Sequence, residues 1–85
     1  MKHILYFTAD WCNPCKKVRP IVEELNRESG DTRFQFIDAD SELDLVRSFE
    51  VRSVPTFIVL EDGKEVNRVS GAQTREQLLG LMQNE

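Results

Sequence analysis

An α/β fold in the order β-α-β-α-β-β-α, a four-stranded mixed sheet flanked by three helices, is predicted by three features of this 85-residue sequence. Residues 3–7 and 56–60 are short, near-continuous apolar runs, as expected of strands covered on both faces. Val18, Ile21, Val22 and Leu25 recur at i, i+3, i+4 and i+7, which puts one apolar stripe on a helix. Asp62-Gly63 falls between two strand-like runs and marks a tight hairpin.

Each element has a local cause. The first strand, residues 3–7, gives way at Thr8-Ala9-Asp10. The following helix is expected to stop at Gly30 and to kink at Pro20, which removes the hydrogen bond to the Lys16 carbonyl. Residues 33–37 form a second strand with Phe34 and Phe36 on one face. Ser41 is expected to cap a short helix whose apolar pairs are Leu43, Leu45, Val46 and Phe49. The third strand, residues 56–60, is apolar throughout and therefore central. The fourth, residues 64–69, is more polar and reads as an edge, ending at Gly71. Thr74 with Gln77 forms a capping box. It opens a last helix with Leu78, Leu81 and Met82 inward, weakened at Gly80 by roughly 1 kcal/mol relative to alanine. The helix between the first two strands is long enough for a right-handed parallel crossover. The last two strands pair antiparallel.

The length suits one domain, residues 1–85. A net charge of −4 argues against nucleic acid as a partner, because phosphate binding needs clustered lysine and arginine. No apolar run approaches the ~20 residues that span a bilayer. The apolar run after His3 is also shorter than the ~7–15 residues of a secretory signal. The chain is expected to be cytoplasmic and monomeric.

The chain has two cysteines, and they stand at Cys12 and Cys15, separated by Asn13 and Pro14. The segment falls between the first strand and the first helix. Cys12 is then the N-cap, where backbone N–H groups lack partners and the helix dipole is positive. A thiolate there is stabilised, so its pKa should fall below the ~8.5 of a free cysteine. Pro14 in the first turn costs no helix hydrogen bond. Cys15 is one turn in, within reach of the Cys12 sulfur. The pair suits dithiol exchange: Cys12 attacks a substrate disulfide, and Cys15 then resolves the mixed disulfide. Half a zinc site is a poorer reading, since zinc wants four ligands and His3 is the only other soft candidate. A structural staple is poorer too: so short a loop removes little unfolded-state entropy, and a reducing compartment would open it. Two buried small hydrophobes would not have the polar Asn13-Pro14 between them.

Residues 9–16, Ala-Asp-Trp-Cys-Asn-Pro-Cys-Lys, resemble the active-site segment of the thioredoxin family. Residues 49–57, Phe-Glu-Val-Arg-Ser-Val-Pro-Thr-Phe, resemble its second signature, and Asp62-Gly63-Lys64 and Gly71-Ala72 fall at matching later spacings. The resemblance runs over essentially the whole chain, without the strand and helix that full-length thioredoxins carry before the active-site strand. It implies a thioredoxin fold and a protein-disulfide reductase with no bound cofactor beyond a redox-active Cys12–Cys15 disulfide. Cys12 is implied to be the exposed nucleophile and Cys15 the resolving thiol. Pro55 is implied to be a cis proline facing them, with the Val54 backbone free to pair with an extended substrate segment. Trp11 is the implied surface tryptophan beside the nucleophile. Asn13, Pro14 and Thr56 belong to the substrate-binding surface, and Ser70, Gly71 and Ala72 to the far side of its groove. The implied partners are protein disulfides, with thioredoxin reductase or glutathione as electron donor.

Two positions depart from the family pattern. Tyr6 stands where thioredoxins keep a buried aspartate, and Phe36 where they keep a neighbouring lysine. Tyr6 reads as core packing, with its hydroxyl as a substitute for the acid in second place. Asn13 stands where most thioredoxins have glycine. Two alternatives remain beside the reductase: a glutaredoxin-like enzyme recharged by glutathione, and a thioredoxin-fold binding module in which the cysteines are incidental.

Overall fold

The computed structural model describes residues 2–28 and 32–83. The elements follow the predicted order: β1 (Lys2–Thr8), α1 (Asn13–Glu28), β2 (Arg33–Asp38), α2 (Leu43–Ser48), β3 (Thr56–Glu61), β4 (Lys64–Ser70) and α3 (Arg75–Gln83). The sheet order is β2-β1-β3-β4. β1 pairs parallel with β2 and antiparallel with β3, and β3 pairs antiparallel with β4. The two apolar runs are thus the two inner strands, which is why both of their faces need apolar side chains.

Alternation along β1 divides those side chains between two cores. Ile4 and Tyr6 point to one face, where Phe34, Phe57 and Val59 meet Val18, Val22 and Leu25 of α1 and Leu78 and Leu81 of α3. Leu5 and Phe7 point to the other, where Ile37 and Ile58 meet Leu45, Val46 and Phe49. Tyr6 is at the centre of the first core. Its ring stacks on Phe57, with centroids 4.8 Å apart, and meets the edge of Phe36 at 5.3 Å.

The Asp62-Gly63 turn has φ of 53° and 86°. Two successive left-handed residues make the turn whose twist matches an antiparallel hairpin. The capping box is reciprocal: Thr74 N–H donates to Gln77 Oε1 at 2.8 Å, and Gln77 N–H to Thr74 Oγ1 at 3.1 Å. α1 runs unbroken through Pro20, which stands on its exposed side. Gly30, the expected stop, lies outside the described residues.

Two expectations for α2 are corrected. Its N-cap is Glu42, with no side-chain capping bond. The Ser41 hydroxyl instead donates to Asp38 Oδ2 at 3.3 Å, and the Asp38 carbonyl accepts from the Ser41 and Glu42 N–H groups. The nearer carboxylate wins the serine. Leu43 does not pack, being 51% exposed. At 100° per residue it lies roughly 110° around the helix from the centre of the Leu45–Val46–Phe49 stripe.

Candidate active site

β1 ends at the carboxyl end of its strand pair with β2, and a turn closed by Cys12 N–H on the Ala9 carbonyl at 3.2 Å starts α1. Cys12 is the N-cap: its carbonyl accepts the first intrahelical bond, from Lys16 N–H. Its sulfur accepts from Cys15 N–H at 3.2 Å, satisfying one of the N–H groups a helix start leaves open. Cys12 and Cys15 form a disulfide, with Cα atoms 5.2 Å apart. Asn13 and Pro14 are exposed on the first turn.

Cys12 is not exposed in this disulfide form, and the expectation of an open nucleophile is corrected there. The residue is 3% exposed and Cys15 1%, because the two sulfurs turn onto each other and Val54 packs over them with Ala9. Across from them the Val54–Pro55 peptide bond is cis, and the Val54 carbonyl oxygen stands 3.6 Å from Cys12 Sγ. Thr56 Oγ1 donates to the Ser53 carbonyl at 2.7 Å, bracing this loop. Gly71 N–H donates to the Pro55 carbonyl at 2.8 Å. Gly71 has φ of 89°, a backbone that side chains resist. Ser70 and Ala72 flank it, exposed, and Ser70 Oγ is 3.5 Å from Thr56 Oγ1.

Trp11 is 66% exposed, and its Nε1–H donates to Asp40 Oδ2 at 2.9 Å. With Val54 it walls a groove of about 170 Å³ whose other side is Ala39, Val46, Val51, Arg52 and Ser53. Neither Asp40 nor this second wall is among the residues expected at the site. The signal was present in part: Ala39 and Asp40 follow the carboxyl end of β2, the side on which α/β sheets bind ligands. The wall is held by Ala39 N–H on the Thr8 carbonyl and by Asp40 N–H on Asp38 Oδ1.

Tyr6 is fully buried, and its hydroxyl donates to the Cys15 carbonyl at 3.1 Å. Burial pushes the phenol above its ordinary pKa of 10.0, so it is a neutral donor at physiological pH. Among the described residues, no three His, Cys, Asp or Glu side chains are grouped to hold a metal ion. Likewise, no described helix is long and apolar enough to cross a membrane.

A disulfide between cysteines three residues apart caps a helix beside a buried cis proline. The thioredoxin family model matches residues 1–84. A thioredoxin from Staphylococcus saprophyticus is 37% identical over 82 residues, covering 95% of this chain and 79% of its own. A thioredoxin H-type from Fagopyrum esculentum is 36% identical, over 88% of this chain and 65% of its own. A TPR repeat-containing thioredoxin from Arabidopsis thaliana is 44% identical, over 81% of this chain but 18% of its own. Thioredoxin from Fasciola hepatica superposes with a TM-score of 0.90 at 32% identity, over 99% of this chain and 81% of that one. The chain belongs to the thioredoxin family.

Proposed function

We propose that this chain reduces disulfides in proteins by dithiol exchange and is itself recharged by a thioredoxin reductase. The supporting observation is the Cys15 N–H aimed at Cys12 Sγ. Once the pair is reduced, the same donor and the positive end of α1 meet a thiolate in place of a neutral sulfur, and both stabilise it.

The steps follow from that arrangement. Cys12 thiolate attacks one sulfur of the substrate disulfide, forming a mixed disulfide and releasing the first substrate thiolate. Cys15 gives up its proton, which passes to the first released thiolate, and attacks Cys12 Sγ, breaking the Cys12–substrate bond. The second substrate thiolate leaves and takes up a proton. The substrate has gained two electrons, and the Cys12–Cys15 bond holds the oxidising equivalents. The Trp11–Val54 groove is suited to an apolar side chain next to the substrate cystine, because its walls include Val46 and Val51. A cytoplasmic monomer is the setting this reading takes.

The test is insulin reduction with two electron supplies. NADPH with thioredoxin reductase should support turnover. Turnover with glutathione and its reductase alone would make the chain glutaredoxin-like. No turnover with either, and full retention of biological activity on changing both cysteines to serine, would make it a binding module.

A further inference from the structure

We propose that Tyr6 is a positioning residue for the resolving cysteine, its hydroxyl fixing the Cys15 backbone against β1 so that the Cys15 thiol is held in line with Cys12. This rests on the dithiol-exchange reading above.

The aromatic ring alone accounts for the packing, since phenylalanine would fill the same stack against Phe57 and Phe36. The hydroxyl needs a separate explanation. A buried O–H must be paired, and this one is paired with a carbonyl of the motif itself. The Cys15 carbonyl is in the first turn of α1, and in an α-helix it also accepts from the N–H four residues on. The second bond from Tyr6 is therefore not required to complete the helix. What it does is tie that turn to the central strand. β1 is rigid, being paired on both sides, and Cys15 is the one cysteine of the pair held this way; Cys12 meets the Val54 loop instead.

The consequence falls on one step. Attack by Cys15 on Cys12 Sγ is intramolecular, and its rate depends on how narrowly the thiol is held. Attack by Cys12 on the substrate does not use the Cys15 carbonyl. The phenol remains a donor through the working pH range because burial disfavours its anion and outweighs the Thr8 side-chain hydrogen bond that favours it; the charged groups facing it are Arg19 and Glu23 of α1, of opposite sign.

The experiment mixes fully reduced protein with an equimolar aromatic disulfide whose released thiolate absorbs visible light. The first equivalent reports attack by Cys12, and the second reports resolution by Cys15. In Tyr6→Phe the first phase should keep the wild-type rate. The second should slow by about 3- to 10-fold, the range one neutral hydrogen bond supplies. Phe36→Leu disturbs the same aromatic stack but keeps the hydroxyl, and should leave both phases unchanged. An unchanged second phase in Tyr6→Phe, or an equal slowing in Phe36→Leu, overturns the proposal. If Tyr6→Phe does not fold, the wild-type dithiol protein decides by NMR. A slowly exchanging Tyr6 hydroxyl proton coupled to a labelled Cys15 carbonyl supports the proposal, and its absence overturns it. Loss of the first phase in the wild type would instead sink the exchange reading itself.

Discussion

The two faces of the sheet are built to different standards. On the α1–α3 face, ten buried residues from three strands and two helices interlock around the Tyr6–Phe57 stack. On the α2 face, four buried strand residues are covered by six that remain half-exposed. α1 is sixteen residues long with four buried, whereas α2 is six residues long with none. α3 starts on a reciprocal capping box; α2 has no side-chain cap at all. α2 also ends poorly. Val51 N–H bonds to the Val46 carbonyl and Glu50 N–H to that of Arg47, the pattern of a Schellman motif. Its left-handed residue, with φ of 54°, is Glu50, where glycine would be unstrained. α1, which packs on the firm face, carries the two sulfurs at its start, in a small cluster with Ala9 and Val54. The looser face supplies the groove's second wall. Reaction geometry has to be held to fractions of an ångström, while a surface that only docks a partner tolerates looser packing.

Chemistry and capture separate by mutation. Cys12→Ser should lower insulin reduction at least about 1000-fold, because a serine hydroxyl is not ionised at neutral pH. Val46→Ala, in the groove wall, should lower kcat/KM for a protein substrate only ~3- to 10-fold, the loss expected from trimming one apolar contact. Equal effects would erase the division between the faces. Chemical denaturation gives the next test. Leu78→Ala in the firm core should cost about 2–5 kcal/mol, whereas Leu45→Ala, half-exposed to begin with, should cost roughly half as much. Smaller again are the helix ends, read from urea midpoints. Thr74→Ala should cost ~1 kcal/mol by removing a working cap, while Glu50→Gly should raise stability by about 1 kcal/mol by relieving the left-handed glutamate.

A last effect, visible only at alkaline pH, comes from Tyr6. Its folded pKa is raised above 10.0 by burial, so the unfolded chain releases this proton first as pH rises. The contribution is complete below pH 10.0 and is lost as pH climbs through the raised value. Unfolding midpoints at pH 9 and 11 should therefore fall more steeply in the wild type than in Tyr6→Phe.

Much of this was legible in the sequence, for local reasons. β1 and β3 were readable because inner strands must be apolar on both faces. The hairpin was readable from Asp62-Gly63, the last helix from Thr74 and Gln77, and the redox pair from its place before the Val18–Leu25 stripe. What was not legible depends on competition or on distance along the chain. Ser41 has the chemistry of an N-cap, but Asp38 takes its hydroxyl. The Trp11–Asp40 bond joins residues 29 apart, and no periodicity announces it. Cys12 is closed off by Val54, which enters the site from the other end of the chain's α2 connection. Tyr6 was readable as core, yet the hydroxyl's partner depends on the depth at which α1 settles on the sheet.

The central claim is that the mouth of α1 holds Cys12 as a thiolate. Its most direct test is the alkylation rate of Cys12 in the reduced protein across pH, with Cys15→Ser as a background that isolates it. The rate should reach half its plateau below the ~8.5 of an unperturbed cysteine. A midpoint matching that of a thiol in an unstructured peptide would contradict the account.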